Sequence, residues 1–369
     1  MKKKILQFTI ANTKGGQTQY VLQNWKNIDK SKFHFDFITM SKKLDFVEEL
    51  EKEGSKVFFI SCYAEENEQK FNNELRDIIR KGNYDAIHIH TKQWKSFNVE
   101  KIAKEEGIKK IIIHAHNSGI DILDVIKRTQ ELNQHYFLQE QFTEDIATDY
   151  WACSKLAANF LYGNKLAPEK IKIMNNAIDL SLFSYCKETR DILRKKMNLD
   201  NYYVIGNVAR LAYQKNQEFL LKVFTEICKV RNNYKLLLVG DGEKLHEYKT
   251  YVREMKIEDK VIFTGKRNDV HNLLQVMDLF CLPSRFEGLS ISLVEAQAAG
   301  LKCLCSDGLS EELKITDNVK VLPLEVETWK NTILGMRMPY DRKDMKKIIT
   351  DAGYNILSQI KILENYYKN

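Results

Sequence analysis

Short apolar runs alternate with amphipathic stretches along almost the whole chain, and this alternation predicts strands followed by helices. In the first half, apolar runs predict strands at residues 5–10, 35–40, 57–60, 86–90, 110–114 and 171–174. Helical periodicity predicts helices at residues 46–53, 72–81, 99–106 and 155–162. Ser154 is the expected N-cap of the last of these helices. Because strands that alternate with helices pair in parallel, this half is predicted to be a parallel sheet with helices on both faces.

The second half repeats the same alternation. Its apolar runs predict strands at residues 204–208, 235–239, 261–264, 279–282 and 303–306. Its amphipathic stretches predict helices at residues 188–197, 217–230, 243–255, 270–277 and 289–299. Gly300 is predicted to end the last of these helices as its C′ glycine. Residues 175–179 predict a turn and crossover between the halves, and a polar helical tail from residue 343 is interrupted near Gly353.

These elements predict an α/β protein with two Rossmann-like domains whose parallel sheets face a central cleft. The expected boundaries are 1–185 for the first domain, 186–350 for the second, and 351–369 for a C-terminal helix that packs back toward the first. Ligands of such sheets bind beyond the carboxyl ends of the strands and between domains. Polar residues that follow the strands are therefore the first candidates for chemistry.

Composition and charge narrow the class of partner. The 369 residues are 44% hydrophobic and 29% charged, which suits a soluble chain with room for two cores. The net charge of +7 is spread along the chain without a basic arm, so nucleic acid is a poor fit. A mildly basic surface suits a phosphorylated small molecule or an anionic membrane face. The basic segments 92–110 and 337–347 either face lipid headgroups or form solvated helix faces.

The cysteines and the N-terminus predict a cytoplasmic protein. Seven cysteines occur, an odd number, and none forms a C-x-x-C pair. Most of them lie in apolar runs, where free cysteine acts as a small hydrophobic residue. No signal peptide and no 18-residue apolar segment is seen, so we expect a reducing compartment and no membrane span.

Two glutamates flank the start of the predicted helix in SRFEGLSISLVEAQAAG, residues 284–300. Glu287 lies on the entry loop beside Gly288, and Glu295 lies eight positions later in an otherwise apolar helix. An unpaired buried carboxylate is costly, so Glu295 needs a partner such as ligand hydroxyls or a basic side chain. The helix N-terminus attracts phosphate. The alternatives are a capping Glu287 and a solvated or salt-bridged Glu295.

A second group of candidate residues follows the strand at 204–208. Arg210 and Lys215 lie on its loop, where two cations could neutralise a diphosphate as it becomes a leaving group. A basic loop with solvated side chains is the alternative. The loops 240–242 and 264–269 also end strands. Backbone groups of loop 264–269 could form hydrogen bonds with the edge of a nucleotide base. The alternative is that both loops are simple turns.

The first half holds a glycine pair and paired histidines. Gly15 and Gly16 in the segment 13–18 allow a close backbone approach, although neither nucleotide-binding fingerprint is met and a plain tight turn is the alternative. His114 and His116 share one face of a strand, and His116 at its end could meet a ligand. His114, His88 and His90 are interpreted as hydrogen-bonded structural histidines. A metal site among them stays open, with no carboxylate–histidine cluster to support it.

Taken in order, these segments resemble one family. The pattern GNVARLAYQKN, LLLVGDGE, VIFTGKRNDV and LFCLPSRFEGLSISLVEAQAAG closely resembles the retaining glycosyltransferases of family 4, which have the two-domain GT-B fold. The Glu287…Glu295 spacing is the most specific part of the resemblance. The N-terminal glycine pair, the segment 116–118 and the segment 176–179 are also similar to this family.

The resemblance implies roles for individual residues. Arg210 and Lys215 would bind the donor diphosphate, Glu295 the ribose hydroxyls, and Glu287 the donor sugar near the reacting centre. The backbone of Gly288, Leu289 and Ser290 would hold phosphate and sugar, and Lys266 and Arg267 would meet the base. The expected catalytic residues are Glu287, His116, Arg210 and Lys215. Gly15, Gly16, His116 and Asn117 would form the acceptor site, with Gly16 also touching the donor.

The resemblance also implies the reaction. We expect a retaining, metal-independent transfer of a hexose or N-acetylhexosamine from a UDP-sugar to a sugar hydroxyl. The acceptor would be a polyprenyl-diphosphate-linked glycan at the cytoplasmic membrane face, in bacterial capsule, exopolysaccharide or O-antigen synthesis, and the enzyme would need no cofactor. Two other functions remain open: a non-catalytic GT-B-like subunit that binds a glycan or a partner, and a nucleotide-sugar epimerase, whose carboxylate and histidine set cannot be placed here.

Overall fold

The computed structural model describes residues 2–12, 15–309, 311–336 and 340–368. Residue contacts divide the chain into two compact units. The first comprises Met1–Ile120, Asp124–Ala177 and Ile356–Asn369, and the second comprises Asp121–Leu123 and Ile178–Asn355.

The first unit is built on a seven-stranded sheet in which every strand pair is parallel. Its strands are β1 (Lys3–Phe8), β2 (Phe33–Thr39), β3 (Val57–Phe59), β4 (Ala86–Thr91), β5 (Lys110–Ala115), β6 (Asp149–Ala152) and β7 (Ile171–Ile173). The helices that lie between these strands are α1 (Gly16–Asn27), α2 (Val47–Lys52), α3 (Glu68–Gly82), α4 (Asn98–Glu105), α5 (Val125–Gln141) and α6 (Lys155–Tyr162). The strand order is β3-β2-β1-β4-β5-β6-β7.

The second unit contains a six-stranded parallel sheet. Its strands are β8 (Tyr203–Val208), β9 (Tyr234–Val239), β10 (Val261–Phe263), β11 (Leu279–Leu282), β12 (Lys302–Ser306) and β13 (Val319–Leu322). Its helices are α7 (Leu180–Phe183), α8 (Lys187–Lys196), α9 (Gln217–Val230), α10 (Leu245–Glu254), α11 (Val270–Val276), α12 (Ile291–Ala298), α13 (Val326–Gly335) and α14 (Lys346–Asp351). The strand order is β10-β9-β8-β11-β12-β13.

Both sheets reverse their strand order at one point. In the first unit the reversal lies between β1 and β4, and in the second it lies between β8 and β11. Open α/β sheets bind ligands at such a switch point, outside the carboxyl ends of the strands. The two parallel sheets confirm the predicted α/β class with two Rossmann-like units.

The last helix, α15 (Ile356–Lys368), belongs to the first unit. Gln359 donates a hydrogen bond from Nε2 to Asn24 Oδ1 at 2.9 Å, and Lys110 Nζ donates to the carbonyl of Tyr366 at 2.7 Å. Tyr367 is buried and packs edge-on against Phe35. The chain thus leaves the first unit at residue 177 and returns to it at residue 356.

Gly300 ends α12 as the sequence predicts. Its φ of 69° is left-handed, a conformation that glycine adopts without steric cost. The amide of Gly300 donates to the carbonyl of Gln297 at 2.9 Å, and that of Leu301 donates to Ala296 at 3.0 Å. This is the Schellman arrangement, and it confirms the expected C′ glycine.

Candidate active site

The loops that follow β8 and β11 are tied together at the switch point of the second sheet. The backbone amide of Arg285 donates to the carbonyl of Gln214 at 2.8 Å. The side-chain amide of Gln214 donates in turn to the carbonyl of Phe286 at 3.0 Å. The candidate residues on loop 209–216 and on loop 283–290 are therefore held side by side, although they are far apart in sequence.

Lys215 and Glu287 meet where these two loops adjoin. Lys215 Nζ lies 2.5 Å from Glu287 Oε1, and Ser284 Oγ donates to the same oxygen at 2.7 Å. Glu287 is only 3% exposed. A carboxylate this deeply buried requires compensating charge and hydrogen bonds, and Lys215 and Ser284 supply both.

The N-terminus of α12 follows directly after this pair. Ser290 is the N-cap, and its side chain does not cap the helix. Within the described part of the chain, no acceptor binds the backbone N–H groups of Leu289, Ser290 or Ile291. Unpaired N–H groups at the positive end of the helix dipole form a site suited to an anion.

Glu295 lies on the second turn of α12 and differs from Glu287 in its surroundings. Its residue surface is partly accessible, yet burial of the carboxyl group raises its pKa to about 7. Among the described residues, no side chain donates a hydrogen bond to it. The salt-bridged alternative for Glu295 is therefore not seen in this part of the chain.

Arg210 is held by two carboxylates rather than by Glu287. Its guanidinium forms an ion pair with Asp121 and lies 3.5 Å from a carboxylate oxygen of Glu243. Asp121 also accepts a hydrogen bond from the backbone N–H of Gln214 at 2.9 Å. Asp121 was not predicted as a site residue, and its separation from Arg210 in sequence left no pattern that could have revealed it.

Lys266 and Arg267 lie on the loop after β10, the edge strand, two strands away from β8. Arg267 makes a two-bond ion pair with Asp269 at 2.8 and 2.7 Å. This hydrogen-bonded pair raises the pKa of Arg267. The two predicted base-contacting residues therefore stand apart from the Lys215–Glu287 pair.

In the first unit, His116 belongs to a cluster of buried histidines. His116 Nε2 lies 2.9 Å from His90 Nδ1, and His90 Nε2 lies 2.8 Å from the Oε1 atom of Gln7. His88 Nε2 lies 3.2 Å from His114 Nδ1. Burial lowers the pKa of all four rings, to about 3 for His116, where Lys92 adds to the effect. The rings are neutral at physiological pH.

The contact with Gln7 assigns the tautomer of His116. Because the Oε1 atom of Gln7 can only accept, His90 carries its proton on Nε2, and its Nδ1 must accept. The hydrogen bond to that nitrogen then requires a proton on Nε2 of His116. The Nδ1 atom of His116 is left as a buried acceptor with no partner among the described residues.

His88, His90 and His114 also lie with ring nitrogens within 4.8 Å of one another, close enough to share a metal ion. Their nitrogens are, however, largely engaged already: His88 Nδ1 lies 2.7 Å from the hydroxyl of Tyr367, and His90 binds Gln7 and His116. The geometry favours the hydrogen-bonded interpretation of these histidines.

The remaining predicted residues lie at strand ends of the first unit. Gly15 is the N-cap of α1 and Gly16 is its first residue. A Cβ atom on Gly15 would meet no atom within 4 Å, so the space in front of it is open. The side-chain amide of Asn117 donates to the carbonyl of Gly119 at 2.8 Å. Thr13 and Lys14 of the predicted glycine turn lie outside the described residues.

Comparison with known proteins identifies the family of residues 189–335. Residues 189–335, which include all six strands of the second sheet, match the family model for glycosyl transferases group 1. The putative glycosyltransferase EpsF of Bacillus subtilis (strain 168) is 28% identical over 99% of this chain and 96% of its own length. The UDP-Gal:alpha-D-GlcNAc-diphosphoundecaprenol alpha-1,3-galactosyltransferase of Escherichia coli is 25% identical over 79% of this chain and 77% of its own.

A solved structure gives the same answer for the fold. The crystal structure of Anabaena Alr3699/HepE in complex with UDP and glucose matches with a TM-score of 0.74 and 18% identity, covering 100% of both chains. These findings confirm the resemblance drawn from the sequence. Residues 189–335 match the group 1 glycosyltransferase family, and the chain as a whole has the GT-B fold.

Proposed function

We propose that this protein transfers a hexose or N-acetylhexosamine from a UDP-sugar to a sugar hydroxyl of a lipid-linked glycan, with retention of configuration, in the synthesis of a bacterial surface polysaccharide. The observation that carries the proposal is the Lys215–Glu287 pair beside the unpaired N-terminus of α12. This arrangement lies at the switch point of the unit that matches the family model.

The donor diphosphate is assigned to the cations and the helix end. Lys215 and the N–H groups of Gly288, Leu289 and Ser290 lie on two loops that are hydrogen-bonded to each other, so we assign one phosphate group to both. Arg210, whose own side chain is 45% exposed, would turn from Asp121 and Glu243 to the second phosphate. Lys266 and Arg267 are assigned to the base.

The two acids are assigned to the sugars of the donor. Vicinal ribose hydroxyls would donate to Glu295 and stabilise its ionised form, which burial alone disfavours. Glu287, fixed by Lys215 and Ser284, would accept from hydroxyls of the transferred sugar.

The transfer itself needs a stabilised leaving group. The bond from the anomeric carbon to the diphosphate oxygen breaks, and a bond from that carbon to the acceptor oxygen forms on the same face. The acceptor proton goes to an oxygen of the departing phosphate, so that UDP is released. Lys215, Arg210 and the end of α12 stabilise the charge that develops on it, which is why we propose catalysis without a metal ion.

The acceptor is assigned to the first unit, through Gly15, Gly16, His116 and Asn117. The lipid-linked acceptor is supported by the name of the Escherichia coli relative, which specifies a diphosphoundecaprenol-linked sugar. A relative at 25% identity does not define the sugar or the linkage, so these are left to a panel of nucleotide sugars.

A membrane face is the proposed location of this acceptor. No helix among the described residues has the length and apolar content to cross a bilayer. Helix α5 instead exposes two pairs of apolar side chains, Val125 with Ile126 and Tyr136 with Phe137. The pairs are separated by three helical turns, so they lie on one stripe, and Lys127 follows the first pair. Such a stripe suits binding at an anionic lipid surface.

The test is release of UDP from a panel of UDP-sugars by the wild-type protein and by Lys215→Ala and Glu287→Ala. Both variants are expected to lose turnover by at least about a hundredfold, as when one charge-stabilising group is removed from an active site. Lys222→Ala, on the exposed face of α9, is the matched control. Full turnover in both site variants would refute the site. Absence of UDP binding by calorimetry in the wild type would favour the non-catalytic alternative.

A further inference from the structure

A cavity of about 300 Å³ opens in the first unit, and the proposed reaction leaves most of it unassigned. Phe8 at the end of β1 and Thr91 at the end of β4 both line it, so it lies at the switch point of the first sheet. Gly15 and Gln17, at the start of α1, close one side. This is the position at which an open α/β sheet binds a ligand.

The lining of the cavity combines buried apolar side chains with one buried carboxyl group. Phe71, Val99 and Trp94 contribute buried apolar surface, and the indole N–H of Trp94 is already engaged by the carbonyl of Leu161 at 2.7 Å. Glu100, in the first turn of α4, lines the cavity and is only 3% exposed. A carboxyl group in such surroundings is costly unless something donates to it.

Among the described residues, no side chain donates a hydrogen bond to the carboxyl group of Glu100. Glu100 receives a hydrogen bond from its own backbone amide, and the charge of Lys101 acts on it only through space. Both effects lower the pKa of Glu100, but burial has the larger effect and raises it to about 7. The contrast with Glu287, which is equally buried but held by Lys215 and Ser284, is direct. Glu100 is thus a buried carboxyl group that lines the cavity and has no side-chain donor among the described residues.

We infer that this cavity is an acceptor subsite that holds one sugar ring of the glycan, with Glu100 accepting hydrogen bonds from its hydroxyl groups. A sugar ring combines an apolar C–H face, which suits Phe71 and Val99, with hydroxyl donors, which suit a buried carboxylate. The inference rests on the proposed function, because it places the substrate of the same reaction in the first unit.

Two other kinds of ligand fit less well. A hydrocarbon chain would leave the oxygens of Glu100 without donors, at the cost that burial of an unpaired polar group carries. A cationic ligand would meet Lys92 and Lys95, which also line the cavity and are exposed at its edge. A neutral polyhydroxylated ring avoids both penalties.

The test uses methyl glycosides of glucose, galactose, N-acetylglucosamine and N-acetylgalactosamine as probes, with binding measured by saturation-transfer NMR. The wild type is expected to bind at least one of them, and Glu100→Gln should weaken that binding by about tenfold to a hundredfold, the loss expected for a charged hydrogen-bond acceptor. Ala64→Phe, which fills the cavity from its lining, should abolish it. Glu105→Gln, on the exposed end of the same helix, is the matched control and should bind as the wild type does.

Calorimetry with UDP on the same variants separates this inference from the proposed function. Unchanged UDP affinity in Glu100→Gln and Ala64→Phe, together with lost glycoside binding, supports the subsite. Glycoside binding that is indifferent to both substitutions, or absent from the wild type, overturns the subsite and leaves the donor site standing. Failure of the wild type to bind UDP instead counts against the proposed function.

Discussion

Lys215 Nζ and Glu287 Oε1 lie 2.5 Å apart, across the two loops that end the central strands of the second sheet. Because Glu287 is almost completely buried, the pair has a structural consequence besides its proposed catalytic role. Lys215→Ala leaves a buried carboxylate without its cation and is expected to lower the free energy of unfolding by about 3 kcal/mol. Urea denaturation measures this change.

A second substitution distinguishes the structural effect from the catalytic one. In the double variant Lys215→Ala, Glu287→Gln, the uncompensated charge is gone, so much of the lost stability should return while turnover stays lost. If the double variant is no more stable than Lys215→Ala, the pair is not what stabilises these loops.

Glu295 predicts a pH dependence of nucleotide binding. Its pKa in the free protein is about 7, and ribose hydroxyls that donate to the ionised form would lower it in the complex. UDP affinity should therefore rise as the pH increases toward 7 and level off above it. Calorimetry across this range measures the effect, and Glu295→Gln serves as the control, since titration of the phosphate itself affects both proteins equally. The same pH profile in both proteins would show that Glu295 does not meet the nucleotide.

Glu100 predicts that removing a charge makes the protein more stable. Its pKa is raised from 4.5 to about 7, so between these values the folded chain holds a proton that the unfolded chain has lost. Stability therefore falls as the pH rises from 4.5 to 7, by up to about 3 kcal/mol, and stays low above pH 7. Glu100→Gln should raise the free energy of unfolding by a similar amount above pH 7 and by nothing below pH 4.5. Denaturation at the two pH values measures it, and an equal effect at both would contradict the assigned burial.

Gln7 predicts the protonation of His116. The hydrogen bonds place the ring proton of His116 on Nε2, and ¹⁵N chemical shifts of the labelled histidines report this directly. In Gln7→Leu, His90 loses the acceptor that orders its proton, so a mixture of tautomers is expected at His116. A proton on Nδ1 of His116 in the wild type would reverse the assignment. Gln17→Leu, which removes a hydrogen bond to the backbone carbonyl of His90 but none to a ring nitrogen, is the control.

The stripe on α5 predicts binding to lipid vesicles. Replacing Ile126 and Phe137 by serine removes two of its most exposed apolar side chains, which are 73% and 65% exposed. Co-sedimentation with vesicles that contain anionic lipid should fall several-fold as that apolar area is lost. Ile348→Ser, at an exposed apolar position in the second unit, should change nothing. Unaltered binding by the double variant would place membrane contact elsewhere on the protein.

Elements with strong periodicity could be predicted from the sequence. Helix α9 and strand β11 have the bounds that the pattern predicts, because each is a continuous run whose buried face is apolar. Helix α5 was not predicted. Its stripe of exposed apolar residues and its buried polar residues, His135 and Gln139, invert the pattern that identifies a helix of a globular protein.

Short strands with mixed composition were also missed. Strand β13 has only four residues, and its central Lys320 and Val321 are exposed, so no apolar run marks it. Strand β6 is equally short and begins with Asp149. Both become strands because a neighbouring parallel strand supplies their hydrogen bonds, which is tertiary information.

The chemistry of the site was only partly visible in the sequence. Lys215, Glu287 and Glu295 could be selected from the sequence because each is a charged residue at a strand end, at a helix entry or in an otherwise apolar helix. That Ser284 and Lys215 share one oxygen of Glu287, or that Asp121 holds Arg210, depends on which strands are neighbours in the sheet. The sequence does not single out Glu100, because glutamate is common in the first turn of a helix. Only the fold shows that Glu100 lines a cavity.

The contact between Tyr367 and His88 bears on the order in which the chain can fold during its synthesis. The hydroxyl of Tyr367 contacts the imidazole of His88 on β4, and residues 178–355 of the second unit are translated between these two residues. The histidine cluster of the first unit therefore lacks its contact with Tyr367 until α15 has been made, whereas the second unit can fold before that. In a nascent chain, the second unit can therefore complete its fold before the first.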